Sequence, residues 1–183
     1  MIRRGPAVVP PPRVVPFGLF LPHPNSISKN RTMGRITNTG ATPAKERRAH
    51  IRSCAEALRL LAEQDLNRFD AEAKDMTAFL VFHLRGIYDT IDESAFAWDD
   101  RNYWKKAEAL REKWRWSRKA ARELEALVLA DRWTEVPPVL VGLVPHFADV
   151  TINQLTRDAD WWCGALRALK RQALSRTEEP GSL

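Results

Sequence analysis

The sequence predicts an all-α protein, an antiparallel up-and-down helical bundle of four to five helices that follows a proline-rich, disordered amino-terminal tail. Three observations predict this fold. Apolar residues recur at three- and four-residue steps through most of the chain after residue 42, which is the period of a helix packed on one face. Short polar connectors separate these periodic segments, as between helices that fold back on one another. No segment shows the alternation of a half-buried strand.

Residues 1–41 are set apart by proline and by charge. Seven of the twelve prolines lie here, and they remove backbone donors, so we predict a tail without regular structure. Residues 1–50 carry nine Lys and Arg against Glu46 alone, whereas residues 51–183 carry 20 Lys and Arg against 22 Asp and Glu. Met33 precedes the first helix signal, and we hypothesise that it is the biological start. Starting there would lower the net charge from +6 to +1.

A single helical-bundle domain is predicted over residues 42–176, with a disordered tail at 177–183. Thr42 and Pro43 open the first helix, because a hydroxyl can cap it and the fixed φ of proline suits its first turn. This helix should end near residue 64. Its apolar face is Ile51, Cys54, Ala55, Leu58, Leu61 and Ala62, and its polar face is Arg52, Glu56, Arg59 and Glu63.

The second helix is predicted to begin after Asp70, which can serve as its N-cap. Gly86 lowers the helix propensity without ending the pattern. The predicted buried face carries Met76, Phe79, Leu80, His83, Ile87, Ile91, Ser94 and Trp98.

The third helix should follow the turn "WDDRN", with Asp99 or Asp100 as its N-cap. Its core stripe repeats at alternating steps of four and three residues, which keeps one seam facing neighbouring helices. The stripe consists of Tyr103, Ala107, Leu110, Trp114, Ser117, Ala121, Leu124 and Val128.

Prolines divide the region that follows. Pro137 and Pro138 suit the first turn of a short helix, and Pro145 should kink or break it. A last helix is predicted from about residue 157 to 175. Its buried face is Trp162, Ala165, Leu166, Leu169 and Ala173.

The third helix also carries four tryptophans within or close to it. Trp114, Trp116 and Trp133 are interpreted mainly as core, because Trp has a large apolar area to bury. The polar side of the helix carries the Trp–Arg ridge, which we define as Trp104, Arg111, Arg115, Arg118 and Arg122. Arginine contacts phosphates and an exposed ring stacks on unpaired bases, so this ridge is a candidate nucleic-acid-binding surface. The alternative is a solvated face whose arginines pair with Glu108, Glu112 and Glu123.

Candidates for chemistry are few. His83, Thr90, Ser94 and Ser117 are predicted to form a small buried polar layer, in which the histidine is interpreted as a hydrogen-bonded core residue. His146, Asp149 and Asp158 are the candidate metal ligands, although Asp158 could instead cap or pair at the start of the last helix. No Walker loop, GxGxxG, GxSxG or zinc-ligand spacing occurs, so we assign no catalytic residue and expect no cofactor.

Cysteine usage and hydropathy bear on the compartment. Cys54 and Cys163 lack any CxxC or Cys/His spacing and are interpreted as reduced, buried side chains, with a single disulfide as the alternative. No apolar run approaches the ~18 residues that a membrane span needs, and the amino terminus lacks a convincing cleavage site. We therefore expect a cytoplasmic protein without membrane association.

Three functions remain. The first is a non-enzymatic helical-bundle interaction module, an adaptor or accessory subunit that binds a protein partner or itself, because amphipathic helices and abundant Trp accompany no coherent catalytic set. The second is a nucleic-acid-binding helical subunit of a ribonucleoprotein or defence complex that uses the Trp–Arg ridge. The third is a metal-dependent hydrolase.

Overall fold

Three long helices account for most of the described chain. The computed structural model describes residues 42–65 and 68–178, which belong to one unit spanning Asn38–Leu183. These residues contain helices and turns but no strand, so the predicted all-α class is confirmed. The predicted tail at 1–41, with the hypothesis about Met33, and residues 179–183 lie outside the described residues.

The first two helices begin at the predicted caps. Helix α1 spans Pro43–Ala62, and the hydroxyl of Thr42 accepts a hydrogen bond from the backbone nitrogen of Lys45 at 3.3 Å. Helix α2 spans Ala71–Asp99, and the carboxylate of Asp70 accepts one from the backbone nitrogen of Ala73 at 2.8 Å.

The start of the third helix differs from the prediction. Helix α3 spans Trp104–Leu129, and its N-cap residue is Tyr103, which makes no side-chain capping bond. The prediction of Asp99 or Asp100 as the cap is wrong, because Asp99 is the last residue of α2 and Asp100 is its C-cap. Asn102, with a φ of 60°, makes the turn instead, since Asn tolerates the left-handed region better than most residues.

Helices α2 and α3 run in opposite directions. Three contacts show this: Asp99 pairs with Arg111, Tyr88 with Arg118, and Arg85 with Glu125. Residues earlier in α2 thus contact residues later in α3. Most of the predicted α3 stripe is buried as expected, but Leu110 and Trp114 are half-buried and Tyr103 is 54% exposed.

Shorter helices complete the fold. A 3-10 turn at Trp133–Glu135 leads into α4, Val136–Leu143, and a second 3-10 turn, Val144–Phe147, takes over where Pro145 was predicted to interrupt the helix.

The single last helix that was predicted is in fact two. Helix α5 spans Ala159–Trp162 and α6 spans Ala165–Glu178, two residues beyond the predicted domain end. Gly164, with a φ of 80°, lies at the break, a conformation that glycine adopts without steric cost. Helix α6 runs in the same direction as α2, because Asp75 bonds the backbone of Leu166 and Arg85 bonds Gln172.

One residue assigned to the polar face of α1 lies inside the protein. Glu56 is fully buried, and its carboxylate accepts hydrogen bonds from the backbone nitrogens of Thr156 at 2.7 Å and Arg157 at 2.9 Å and from Arg52 Nε at 2.7 Å. Burial opposes its ionisation, but these hydrogen bonds outweigh that effect and lower the pKa of Glu56. Glu56 therefore anchors the segment before α5 to α1.

Candidate functional site

The Trp–Arg ridge lies along α3, but its residues have different surroundings. Trp104 is 64% exposed, Arg115, Arg118 and Arg122 are exposed, and Arg111 is half-buried. The ridge therefore divides into an amino-terminal half and a carboxyl-terminal half with different surroundings.

The amino-terminal half is neutralised by acidic side chains. Arg111 donates a hydrogen bond to Asp99 Oδ2 at 2.6 Å and lies 3.9 Å from both Asp92 and Glu108. The hydrogen bond to Asp99 raises the pKa of Arg111. Arg111 therefore connects α2 to α3. Because its acidic neighbours neutralise it, it contributes little net positive charge that could attract an anionic ligand.

The carboxyl-terminal half forms a shallow surface groove along α3 that is largely open to solvent. We define the arginine groove as the residues that line it, Arg115, Arg118, Lys119, Arg122 and Glu123. The guanidinium of Arg118 lies 4.7 Å from the centre of the Tyr88 ring and donates to its hydroxyl at 3.0 Å. Arg115 pairs with Glu112, as the alternative interpretation of the ridge expected.

A second exposed surface lies where α2 meets α3. We define the aromatic end as Phe96, Tyr103 and Trp104, which are 67%, 54% and 64% exposed. Lys106 Nζ lies 5.1 Å from the Tyr103 ring centre, and Lys105 Nζ lies 5.3 Å from that of Trp104. Sequence reasoning singled out only Trp104, because Tyr103 fitted the core spacing and Phe96 was not considered.

The aromatic end coincides with a locally unfavourable helix start. Helix α3 has no side-chain cap and no acidic residue in its first turn, which instead carries Lys105 and Lys106. Positive side chains near a helix amino terminus oppose the helix dipole, and a missing cap leaves backbone donors without partners. Sequences that break local rules in this way often do so at functional surfaces.

The remaining tryptophans of this region pack against the core. Trp114, Trp116 and Trp133 are half-buried, in keeping with their interpretation as mainly core. Trp116 stacks face to face on His146, with ring centres 3.9 Å apart and an interplanar angle of 5°.

The four residues of the predicted polar layer are not joined to one another by the described hydrogen bonds. The hydroxyl groups of Thr90, Ser94 and Ser117 each donate to a backbone carbonyl of their own helix. His83 faces α1, where its Nδ1 lies 2.7 Å from Nδ1 of His50, so that one ring donates a hydrogen bond to the other.

Both histidines of this pair are half-buried. The Phe79 ring packs edge-on against His83 with centres 4.1 Å apart. Burial, followed by the neighbouring His50 and Arg157, lowers the pKa of His83 to about 3. Burial also lowers the pKa of His50, although Glu46 opposes that shift. Sequence reasoning missed His50, because a contact across 33 residues leaves no local pattern.

The candidate metal ligands are not assembled. Among residues 42–65 and 68–178, no group of three or more His, Cys, Asp or Glu is arranged to hold a metal ion, and His146, Asp149 and Asp158 are exposed. Cys54 is buried as expected, and burial raises the pKa of its thiol. Cys163 is exposed rather than buried, and both cysteines are free.

Comparisons with known proteins add no assignment. The chain matches no protein-family model, no curated protein and no solved structure. Within the part of the chain that the structure describes, no helix combines the length and apolar character that a membrane span requires.

Proposed function

We propose that this protein is a non-enzymatic helical interaction module that associates with a second copy of itself through the aromatic end. The observation that carries the proposal is the exposure of Phe96, Tyr103 and Trp104 at the junction of α2 and α3. Large exposed aromatic side chains mark interaction surfaces, and Trp and Tyr are common where binding energy is concentrated.

The charges around the aromatic end favour a second copy as the partner. Apart from Asp92 and Asp99, which pair with Arg111, the end of α2 carries Glu93 and its C-cap Asp100, whereas the first turn of α3 carries Lys105 and Lys106. A two-fold symmetric interface brings the same patch of both subunits together, so each patch must complement itself. An apolar centre flanked by one acidic and one basic region meets that requirement, because the acidic side of each copy can face the basic side of the other.

Sedimentation velocity of the full chain, over concentrations from micromolar upwards, tests the proposal. We expect a concentration-dependent monomer–dimer equilibrium. Trp104→Ala should raise the dimer Kd by about tenfold or more, because truncating a central aromatic residue commonly costs about 2 kcal/mol. Leu174→Ala is the matched control, since Leu174 on α6 is 65% exposed and lies outside the aromatic end.

A charge exchange tests the predicted geometry. Lys106→Glu and Asp100→Lys should each weaken self-association, whereas an equimolar mixture of the two variants should recover part of it, because opposite charges then face each other across the interface. A chain that stays monomeric at every concentration would show that the proposed partner is wrong, and equal losses for Trp104→Ala and Leu174→Ala would show that the proposed surface is wrong.

A further inference from the structure

We propose that the arginine groove binds the phosphate backbone of double-stranded nucleic acid. This function is separate from self-association, because it uses the opposite half of α3. It also restricts the candidate binding surface to the carboxyl-terminal half of the Trp–Arg ridge, because acidic residues of α2 neutralise Arg111 in the other half.

The charge of the groove is only partly neutralised by the protein. Among the described residues, no hydrogen bond, ion pair or ring contact engages Lys119 or Arg122. Arg118 is hydrogen-bonded to Tyr88, and the nearby carboxylate of Asp89 offsets part of its charge. Among the described ion pairs, only that of Arg115 with Glu112 engages a basic residue of the groove, whose lining also includes one carboxylate, that of Glu123.

The positive surface continues from α3 towards α6. Arg122 also lines the adjacent groove, whose other side carries Arg176 of α6. Glu125 lies in that groove, but it is paired with both Arg85 and Arg176. Burial opposes its ionisation, but these arginines outweigh that effect and lower its pKa. Glu125 thus lies between two guanidinium groups, and the three side chains together carry a net positive charge.

The spacing of the basic residues suits a linear polyanion. At about 1.5 Å per residue, Arg115 and Arg122 lie ~10 Å apart along the helix axis, with Arg118 and Lys119 between them. A nucleic-acid duplex carries about one negative charge per 1.7 Å of its axis, so several phosphates can face this length of helix at once.

The surroundings of the groove favour duplex over single strands. Binding of single strands draws on exposed aromatic rings that stack on bases. None of the described residues that line the groove is aromatic, and Arg118 covers the face of the Tyr88 ring. Trp104 lies beyond Arg111, whose acidic partners would repel a phosphate backbone.

Fluorescence anisotropy of the full chain with a labelled duplex, measured across a salt series, tests the proposal. Binding should weaken with salt, and the logarithmic slope should approach about −0.9 for each phosphate neutralised. Arg122→Glu should reduce the affinity about tenfold or more and make the slope shallower by about one. The basic residues of 1–41 are present in every variant, so their contribution cancels in the comparison.

Lys113→Glu is the matched control, because it changes the same charge at an exposed position of α3 that does not line the groove. Circular dichroism should show that both variants remain helical. Equal losses for Arg122→Glu and Lys113→Glu would mean that net charge alone determines binding, and the groove would be excluded. Tighter binding to a single strand of the same length, or to anionic lipid vesicles, would also overturn the proposal.

Discussion

The burial of His83 beside His50 makes stability depend on pH above the ordinary carboxylate pKa. The pKa of His83 falls from an ordinary 6.5 to about 3 in the folded protein, so the unfolded chain binds a proton more readily. The free energy of unfolding should therefore decrease as pH falls below about 6.5, by up to about 1.4 kcal/mol per pH unit for one such group. Urea unfolding between about pH 7 and pH 5 measures this slope.

The control variants separate this pair from other acid-sensitive groups. His83→Gln should flatten the pH dependence, whereas His146→Gln leaves both histidines of the pair in place and serves as the matched control. Glu56 and Glu125 have lowered pKa values, so their contributions to stability are lost only at still lower pH, below the ordinary carboxylate value of 4.5. Parallel slopes for wild type and His83→Gln would contradict the assignment.

A second prediction at the scale of the residue concerns Gly86. A Cβ at this position would lie 2.5 to 2.8 Å from three atoms of the His50 ring. Gly86→Ala should therefore destabilise the protein by about 1–3 kcal/mol, despite the better helix propensity of alanine. Thermal or urea unfolding measures the effect.

Gly142 offers the matched comparison in a helix, because a Cβ there would meet no atom of the described residues within 4 Å. Gly142→Ala should be neutral or stabilising by up to about 1 kcal/mol. Combining Gly86→Ala with His50→Ala should recover part of the loss, since the clash is with the imidazole ring. If Gly86→Ala were as mild as Gly142→Ala, the close approach of His50 would be ruled out.

At the scale of the element, Glu56 determines where the segment before α5 lies. Glu56→Ala would remove the acceptor for two backbone nitrogens and for Arg52. We expect a loss of about 1–3 kcal/mol, because two backbone nitrogens lose their acceptor, whereas the Arg52 side chain is 40% exposed and can be solvated. Hydrogen exchange should rise at residues 156 and 157. Glu63→Ala, at an exposed position just after α1, should cost much less, and equal losses would argue against the anchor.

At the start of α3, we expect a substitution that stabilises the helix to weaken self-association. Lys105→Glu should stabilise the helix by about 0.3–1 kcal/mol, because a negative charge suits the amino-terminal end of the dipole. The same change removes a basic side chain that lies beside Trp104 of the aromatic end and should weaken self-association. Unfolding is best measured at concentrations where the monomer dominates, since dimerisation itself adds stability. A variant that both folds and associates better would contradict this account.

How well each helix could be predicted depends on how close in the sequence the residues that determine its ends lie. The starts of α1 and α2 could be predicted because Thr42 and Asp70 cap within three residues. The start of α3 could not, since α2 continues through two aspartates that resemble a cap. Gly164 divides the last helix where periodicity alone suggested continuity.

Side-chain surroundings were harder to predict than helices. Glu56 looked solvent-exposed on the helical wheel because its partners lie about a hundred residues away in the sequence. The exposure of Trp104 and the alignment of the Trp–Arg ridge followed from helix geometry. The division of the ridge did not, because it depends on which acidic residues α2 brings beside Arg111.

For the whole molecule, the two proposed surfaces should act independently. Trp104 and Arg122 lie ~27 Å apart along α3 at about 1.5 Å per residue, and energetic effects at sites more than about 10 Å apart usually add. Trp104→Ala should therefore weaken self-association without changing duplex affinity per protomer, and Arg122→Glu should do the reverse. The double variant should lose self-association to the same extent as Trp104→Ala, as measured by sedimentation. It should lose duplex affinity to the same extent as Arg122→Glu, as measured by anisotropy. A dimer could still place two grooves on one duplex and raise the apparent affinity through effective concentration. Short duplexes that accommodate one groove separate this avidity from true coupling, because only true coupling would make Trp104→Ala weaken their binding.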